Sequence, residues 1–121
     1  MVNRVKSEII VDACIKIADQ NFLPISIVKK GDSERGEILL RIINRVNKSL
    51  FYRSKFDLNI NFSWQTAGSG VFLDVSESIE FIAKEKKIDL DIWIIEIEKF
   101  SEGIDIIKLF DFNKPYFINL T

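Results

Sequence analysis

The chain has 121 residues, 47% hydrophobic and 29% charged, a length and composition that suit one domain with its own core. It holds no His and a single Cys, Cys14, which excludes an intramolecular disulfide, thiolate or imidazole zinc sites, and Ser-His-Asp or Cys-His catalysis. A net charge of −1 argues against a general nucleic-acid binder.

Ser7 is placed to open a first helix, its hydroxyl available to cap free N–H groups and Glu8 and Asp12 near the positive end of the macrodipole. Ile9, Ile10, Ala13, Cys14, Ile17 and Ala18 recur at the spacing of one buried stripe, with Lys16, Asp19 and Gln20 on the other side. Cys14 on that stripe reads as a small buried hydrophobe, not a reactive thiol. Pro24 should stop the helix by Asn21 or Phe22. Glu8 and Asp12 break the apolar stretch that a signal peptide would need. No run approaches the roughly 18 apolar residues of a membrane span. The expected compartment is therefore cytoplasmic, with no membrane partner.

Strands follow. Ile25 to Lys29 is short and is closed by a polar loop, Lys30 to Gly36, with a glycine near each end. That glycine spacing resembles a phosphate loop, but Glu37-Ile38 stands where Lys-Ser/Thr is required, and the loop joins two strands. It is read as a hairpin loop needing two positive-φ positions, and no cofactor is expected. Glu37 to Ile43 alternates Ile38, Leu40 and Ile42 against Leu39, Arg41 and Ile43. Asn44 to Lys48 turns the chain and Ser49 to Arg53 returns it. From Phe56 to Gln65 apolar and polar residues alternate strictly, as on a strand with one wet face.

Asp74 with Glu77 three residues later forms a capping box for a second helix to about Lys87, with Val75, Ile79, Ile82 and Ala83 expected inward. Ile92 to Lys99 is a strand, with Trp93, Ile95 and Ile97 on one face and Ile94, Glu96 and Glu98 on the other. Ile104 to Phe110 fits either an edge strand or a short helix. The fold class is α+β: a mostly antiparallel sheet of four to six strands with two helices, in the order α-β-β-β-β-α-β and one further strand at most. Both helices are expected on one apolar face. Residues 1–110 form the domain, and 111–121 an aromatic tail that docks on it or on a second subunit.

Three constellations could carry chemistry. Glu96 and Glu98 lie two apart on one strand face, about 7 Å from each other. With Asp91 they could hold a hard cation or divide acid and base roles. The competing reading pairs them with Arg41 or Arg53 across strands, with no metal between them. Five basic residues between 41 and 55, among them Arg45, Lys48, Arg53 and Lys55, flank Phe51 and Tyr52, a composition that suits single-stranded RNA. The plainer reading is a solvated hairpin. Charge is also split along the chain. Residues 1–55 hold eleven Lys/Arg against six Asp/Glu, a net of +5, and residues 74–105 four Lys against ten acids, a net of −6. The halves either neutralise each other across the sheet or steer a partner.

Several stretches together resemble a known family. Gly31-Asp32 through Gly36 before an apolar strand, Ser54-Lys55-Phe56-Asp57-Leu58 leading to Trp64, an acidic second helix, and Ile88-Asp89-Leu90-Asp91-Ile92-Trp93-Ile94-Ile95-Glu96-Ile97-Glu98 are similar to the bacterial domain of unknown function 1491. The likeness spans roughly residues 4–100. Family members carry a phenylalanine-aspartate-proline-aspartate-leucine-tryptophan stretch before a strand ending in valine-glutamate. Here Ile88 replaces the phenylalanine and Leu90 the proline, which loosens the turn. The resemblance implies no activity, cofactor or catalytic residue.

The expected function is therefore a non-enzymatic protein-interaction module, self-associating or bound to an unidentified protein. A carboxylate-dependent hydrolase or metal-binding enzyme using Glu96 and Glu98 is the alternative, and RNA binding through the 41–55 hairpin the third. Phe110, Phe112, Tyr116 and Phe117 crowd the end of the chain. Exposed together they would form an apolar patch, so a homodimer whose interface includes residues 110–117 is expected.

Overall fold

The structure, a computed structural model, describes residues 4–99 and 103–113. Helix α1 (Ser7–Gln20) leads into β1 (Ile25–Lys29), β2 (Ile38–Ile43), β3 (Ser49–Phe56) and β4 (Phe62–Thr66). Helix α2 (Val75–Ile88), β5 (Trp93–Glu98) and the short α3 (Ile106–Leu109) follow. The five strands form one sheet in the order β1-β5-β2-β3-β4. Every neighbouring pair is antiparallel except β2 and β5, which run parallel with Arg41 opposite Glu96. The α+β class and the mostly antiparallel sheet are as expected, and 104–110 resolves to the helical alternative.

The parallel pair sits at the centre of the sheet and is buried on both faces: Ile38, Leu39 and Leu40 on β2, and Trp93, Ile94 and Ile95 on β5. Two cores result. One joins Ile10, Val11, Cys14 and Ala18 of α1 to Ile38, Leu40, Ile95 and Ile97. The other joins Ile82 of α2 to Leu39, Phe51, Ile92 and Ile94. The helices therefore lie on opposite faces, not on one. The expectation failed because it treated each strand as having a single apolar side.

The two helices differ in how they are held. Ser7 does not cap α1. Its hydroxyl donates to the Gly36 carbonyl at 2.6 Å, while the Ser7 and Glu8 amides donate to the carbonyls of Glu34 and Ser33. The 31–36 loop is thus tied to the helix start. The helix ends where expected, with Asn21 at its C-cap and Phe22 in the left-handed region at φ 57°. Helix α2 has the capping box: Asp74 accepts from the Glu77 amide at 2.8 Å and Glu77 from the Asp74 amide at 3.0 Å. Its buried side is Ser78, Ile82 and Glu85, however, and Val75, Ile79 and Ala83 are exposed. Among the described residues no helix is long and apolar enough to cross a membrane.

One strand and one loop differ from expectation. The alternation from 56 to 65 is not one strand, because residues 57–61 turn the chain. The Asp57 carboxylate accepts from the amides of Asn59 and Asn61, Ile60 takes φ 64°, and Leu58 is fully exposed. These bonds, the Asn61 amide first, hold the Asp57 carboxyl below its usual range. The 31–36 loop is no hairpin either, since β5 lies between the strands it joins. Neither Gly31 nor Gly36 has positive φ. Both are needed for close approach, since a Cβ at either would collide with the Asp91 carbonyl oxygen. The same packing lets the Trp93 indole N–H donate to the Asp32 carbonyl at 2.7 Å.

After α3 the chain returns over the α1 side. Phe110 is fully buried and Phe112 nearly so, and Phe112 meets the Phe62 ring edge-on at 5.3 Å. The Trp64 indole N–H donates to the Phe110 carbonyl at 3.0 Å, and Asn113 Oδ1 accepts from the Phe62 amide at 2.7 Å. Two of the four aromatics expected at a dimer interface thus cover the chain's own sheet. Tyr116, Phe117 and Pro115 lie outside the described residues. Replacing Phe110 by Ala is expected to cost about 3–5 kcal/mol in urea unfolding, the range for a fully buried phenylalanine; a cost under about 1 kcal/mol would contradict this packing.

Candidate functional site

The side of the sheet under α2 gathers most of the residues that the sequence marks as candidates. Strand alternation puts Leu39 and Arg41 of β2, Phe51 and Arg53 of β3, and Ile94, Glu96 and Glu98 of β5 on this side. The apolar members form the small core under Ile82. The charged members pair around it.

Arg41 donates from Nη1 to Glu96 Oε1 at 2.8 Å and from Nε to Ser49 Oγ at 2.8 Å. Arg53 lies between two carboxylates, with Nη1 donating to Glu37 Oε1 and Nη2 to Glu85 Oε1, each at 2.8 Å. Glu85 uses its second oxygen as well, 3.4 Å from Nη1, a forked contact between α2 and the sheet. The Glu85 hydrogen bond does most to hold the Arg53 guanidinium above its usual pKa, against the opposing effect of partial burial. Two of these pairs, Arg41–Glu96 and Arg53–Glu85, join the basic first half of the chain to the acidic second half. The charge split is in part neutralised inside the molecule.

The carboxylate constellation is only partly assembled. Glu96 is engaged by Arg41, the pairing expected for it, and Glu98 lies next on the same face, half-buried opposite Ile43. Asp91 sits before the start of β5, about 16 Å along the strand from Glu96. Its backbone, not its side chain, serves the loop: the Asp91 carbonyl accepts from the Asp32 amide at 3.0 Å. Among the described residues no group of three His, Cys, Asp or Glu could hold a metal ion.

The basic hairpin is dispersed too. Arg45 and Lys48 are exposed in the 44–48 turn, while Lys55 is exposed near the far end of β3. Arg53 is engaged by Glu37 and Glu85. Phe51 is buried under α2 with its ring 4.6 Å from that of Phe81, and Tyr52 faces the α1 side, half-buried. Phe51, taken into the core beneath α2, is not open to stack on a base. A separate cleft of about 450 Å³ opens at the α3 end, lined by Ile42, Leu50, Tyr52, Phe72, Lys99 and Asp105. Its one carboxylate among the described residues, Asp105, caps α3 by accepting from the amides of Ile107 and Lys108.

Sequence reasoning missed Glu37 and Glu85 as partners of Arg53. The signal for Glu85 was present: it follows Ser78 and Ile82 at helical spacing, so an acid stands on a buried stripe facing a strand that carries Arg53. Glu85→Gln should lower stability by about 1–2 kcal/mol in urea unfolding, because the guanidinium loses a charged partner. Glu98→Gln should stay within about 0.5 kcal/mol of wild type. Equal effects of the two would contradict the pairing described.

The family described as "Protein of unknown function (DUF1491)" matches residues 5–103. A crystal structure of a DUF1491 family protein from Caulobacter crescentus is 21% identical, with TM-score 0.68 over 78% of this chain and 88% of that one. The solution structure of protein Atu0922 from A. tumefaciens is 25% identical, with TM-score 0.69 over 84% of this chain and 91% of that one. An NMR structure of a DUF1491 family protein from C. crescentus is 19% identical, with TM-score 0.70 over 88% and 94%. None of the curated proteins compared with the chain matches it. With the match spanning most of its length and the fold shared, the chain belongs to the DUF1491 family.

Proposed function

We propose that this protein is a self-associating interaction module that meets a second copy of itself through the open half of its α2 side. The observation that carries this reading is uneven cover. On the α1 side, α1, α3, Phe110 and Phe112 lie over the sheet. On the other side, among the described residues, a single helix covers part of it, with Phe81 turned to Phe51 and Gly68 near β3 and β4. At 100° per residue, Val75 and Ile79 lie on the flank opposite Phe81, toward β5 and edge strand β1. They are 48% and 60% exposed, and Val28 of β1 is 43% exposed. Exposed apolar side chains on a helix flank and on an edge strand suit a protein contact.

Charge order along α2 favours a second copy as the occupant. Glu77 and Glu80 stand in its first half and Lys84, Lys86 and Lys87 in its second. Two such helices crossing antiparallel about a twofold axis near Ala83 set Glu80 of one copy against Lys86 and Lys87 of the other. A twofold contact makes each such pairing twice. Contact through side chains also fits the edge: β1 carries a register irregularity between Ile27 and Lys29 and ends in lysine, two devices that discourage strand addition. The carboxylate reading has less support, since Glu96 is engaged by Arg41.

Light scattering over a concentration series should show a monomer–dimer equilibrium. Ile79→Ser should weaken it about tenfold or more, as expected when one partly buried isoleucine is lost from a contact. A charge reversal, Glu80→Lys, should weaken it, and the combination with Lys86→Glu and Lys87→Glu should restore it. A wild type that remains monomeric at millimolar concentration, or Ile79→Ser with unchanged affinity, would contradict the proposal.

A further inference from the structure

Where the start of α1 meets β2 and β3, a pocket of about 170 Å³ is lined by Arg4, Ser7, Arg35, Glu37, Ser54 and Phe56. Two of its lining residues are arginines, Arg4 and Arg35. Arg4 stacks on Phe56, its Cζ 4.6 Å from the ring centre, and its Nε–H is buried with no acceptor. A buried donor left unpaired is costly, and natural structures seldom leave one without a reason. Burial and, after it, the charge of Arg35 lower the Arg4 pKa, so the two cations act on one another.

The other groups around the pocket leave this positive charge unanswered. Among the described residues Glu37 is its only lining carboxylate, and it is engaged by Arg53 at 2.8 Å. Glu34 is exposed and lies 3.9 Å from Lys6, and the Asp32 carboxylate accepts from the backbone amides of Glu34 and Arg35. Glu8 is exposed in the first turn of α1. The end of the helix is not the donor, because the Ser7 and Glu8 amides already serve the loop carbonyls. The Ser7 hydroxyl is taken by the Gly36 carbonyl. The Ser54 Oγ is different: it accepts from the Ile38 amide at 2.8 Å, which leaves its proton to donate.

We propose that this pocket binds a phosphate group, held between Arg4 and Arg35 with the Ser54 hydroxyl as a further donor. Three donor groups on separate wall elements suit a tetrahedral oxyanion better than a planar carboxylate. A phosphate dianion also balances two guanidinium charges, and arginine forks match its oxygens. The pocket is smaller than the roughly 300–1,000 Å³ of sites for drug-sized ligands, so the ligand is inorganic phosphate or the end group of a small monoester. This site is separate from the α2 side and does not depend on self-association.

The test is an amide chemical-shift titration of the full chain with sodium phosphate, with sodium chloride lowered to hold ionic strength constant. Saturable shifts are expected at Gly36, Ile38 and Ser54 and at the Arg4 Nε–H. Arg35→Gln, in an exposed loop position, should keep the native spectrum and weaken binding about tenfold, the effect of one charge-assisted hydrogen bond. Arg4→Lys, which keeps the charge and loses the fork, should weaken it similarly. Methyl phosphate run in parallel identifies the source: binding supports a monoester, and exclusion with phosphate still bound supports the free ion. The proposal is overturned by the absence of saturable shifts, by equal binding in Arg35→Gln, or by acetate binding as tightly as phosphate.

Discussion

The structure depends on one pairing: β2 and β5 run side by side in parallel at the centre of the sheet. A parallel neighbour cannot be reached by a tight turn, so the chain between them must leave the sheet and return over it. Here the excursion contains β3, β4 and α2. Strands in such a position are shielded on both faces, and both must be apolar. Ile38-Leu39-Leu40 and Ile92 through Ile95 meet that demand with every residue buried. Helix α1 then covers one face and α2 the other. The tightly packed Gly31 and Gly36 let the loop from β1 to β2 pass the start of β5.

That constraint explains which parts of the fold could be read from residues alone. The helix spans were legible because Ser7 to Gln20 and Asp74 to Ile88 carry stripes, a capping box and stops set by local chemistry. The strands were legible because alternation and β-branched composition are local too. The arrangement of helices about the sheet was not. Leu39 and Ile94 were assigned to a second, wetter face, although the uninterrupted apolar runs around them mark strands buried twice. The 56–65 stretch misled for a related reason: Asp57 and Asn61 build a turn inside a sequence that alternates throughout. Position 85 shows the same limit, since an acid on the buried stripe of α2 makes sense only once Arg53 is known to lie beneath it.

Of the candidate groups, the pairing of Glu96 with Arg41 could be anticipated from strand alternation, whereas the Arg4–Arg35 pocket could not. Nothing in the sequence sets Arg4 beside Arg35; the loop carbonyls that bind the start of α1 bring them together. The basic residues of the 41–55 hairpin, by contrast, do not form one patch, because Arg53 is held by Glu37 and Glu85 and Lys55 lies at the far end of β3 from the 44–48 turn. Among the described residues, two long helices serve two faces of the sheet, and the face that also receives α3 and Phe110 is the better covered. The surface left on the α2 side is the one that the self-association reading uses.

The most direct measurement of that reading is an isotope-filtered nuclear Overhauser experiment on a mixture of labelled and unlabelled protein, which detects only contacts between copies. Intermolecular cross-peaks are expected from the methyl groups of Val28, Val75 and Ile79. Cross-peaks confined to other exposed side chains, such as Leu58 or Val46, or none at concentrations where the protein is fully folded, would contradict it.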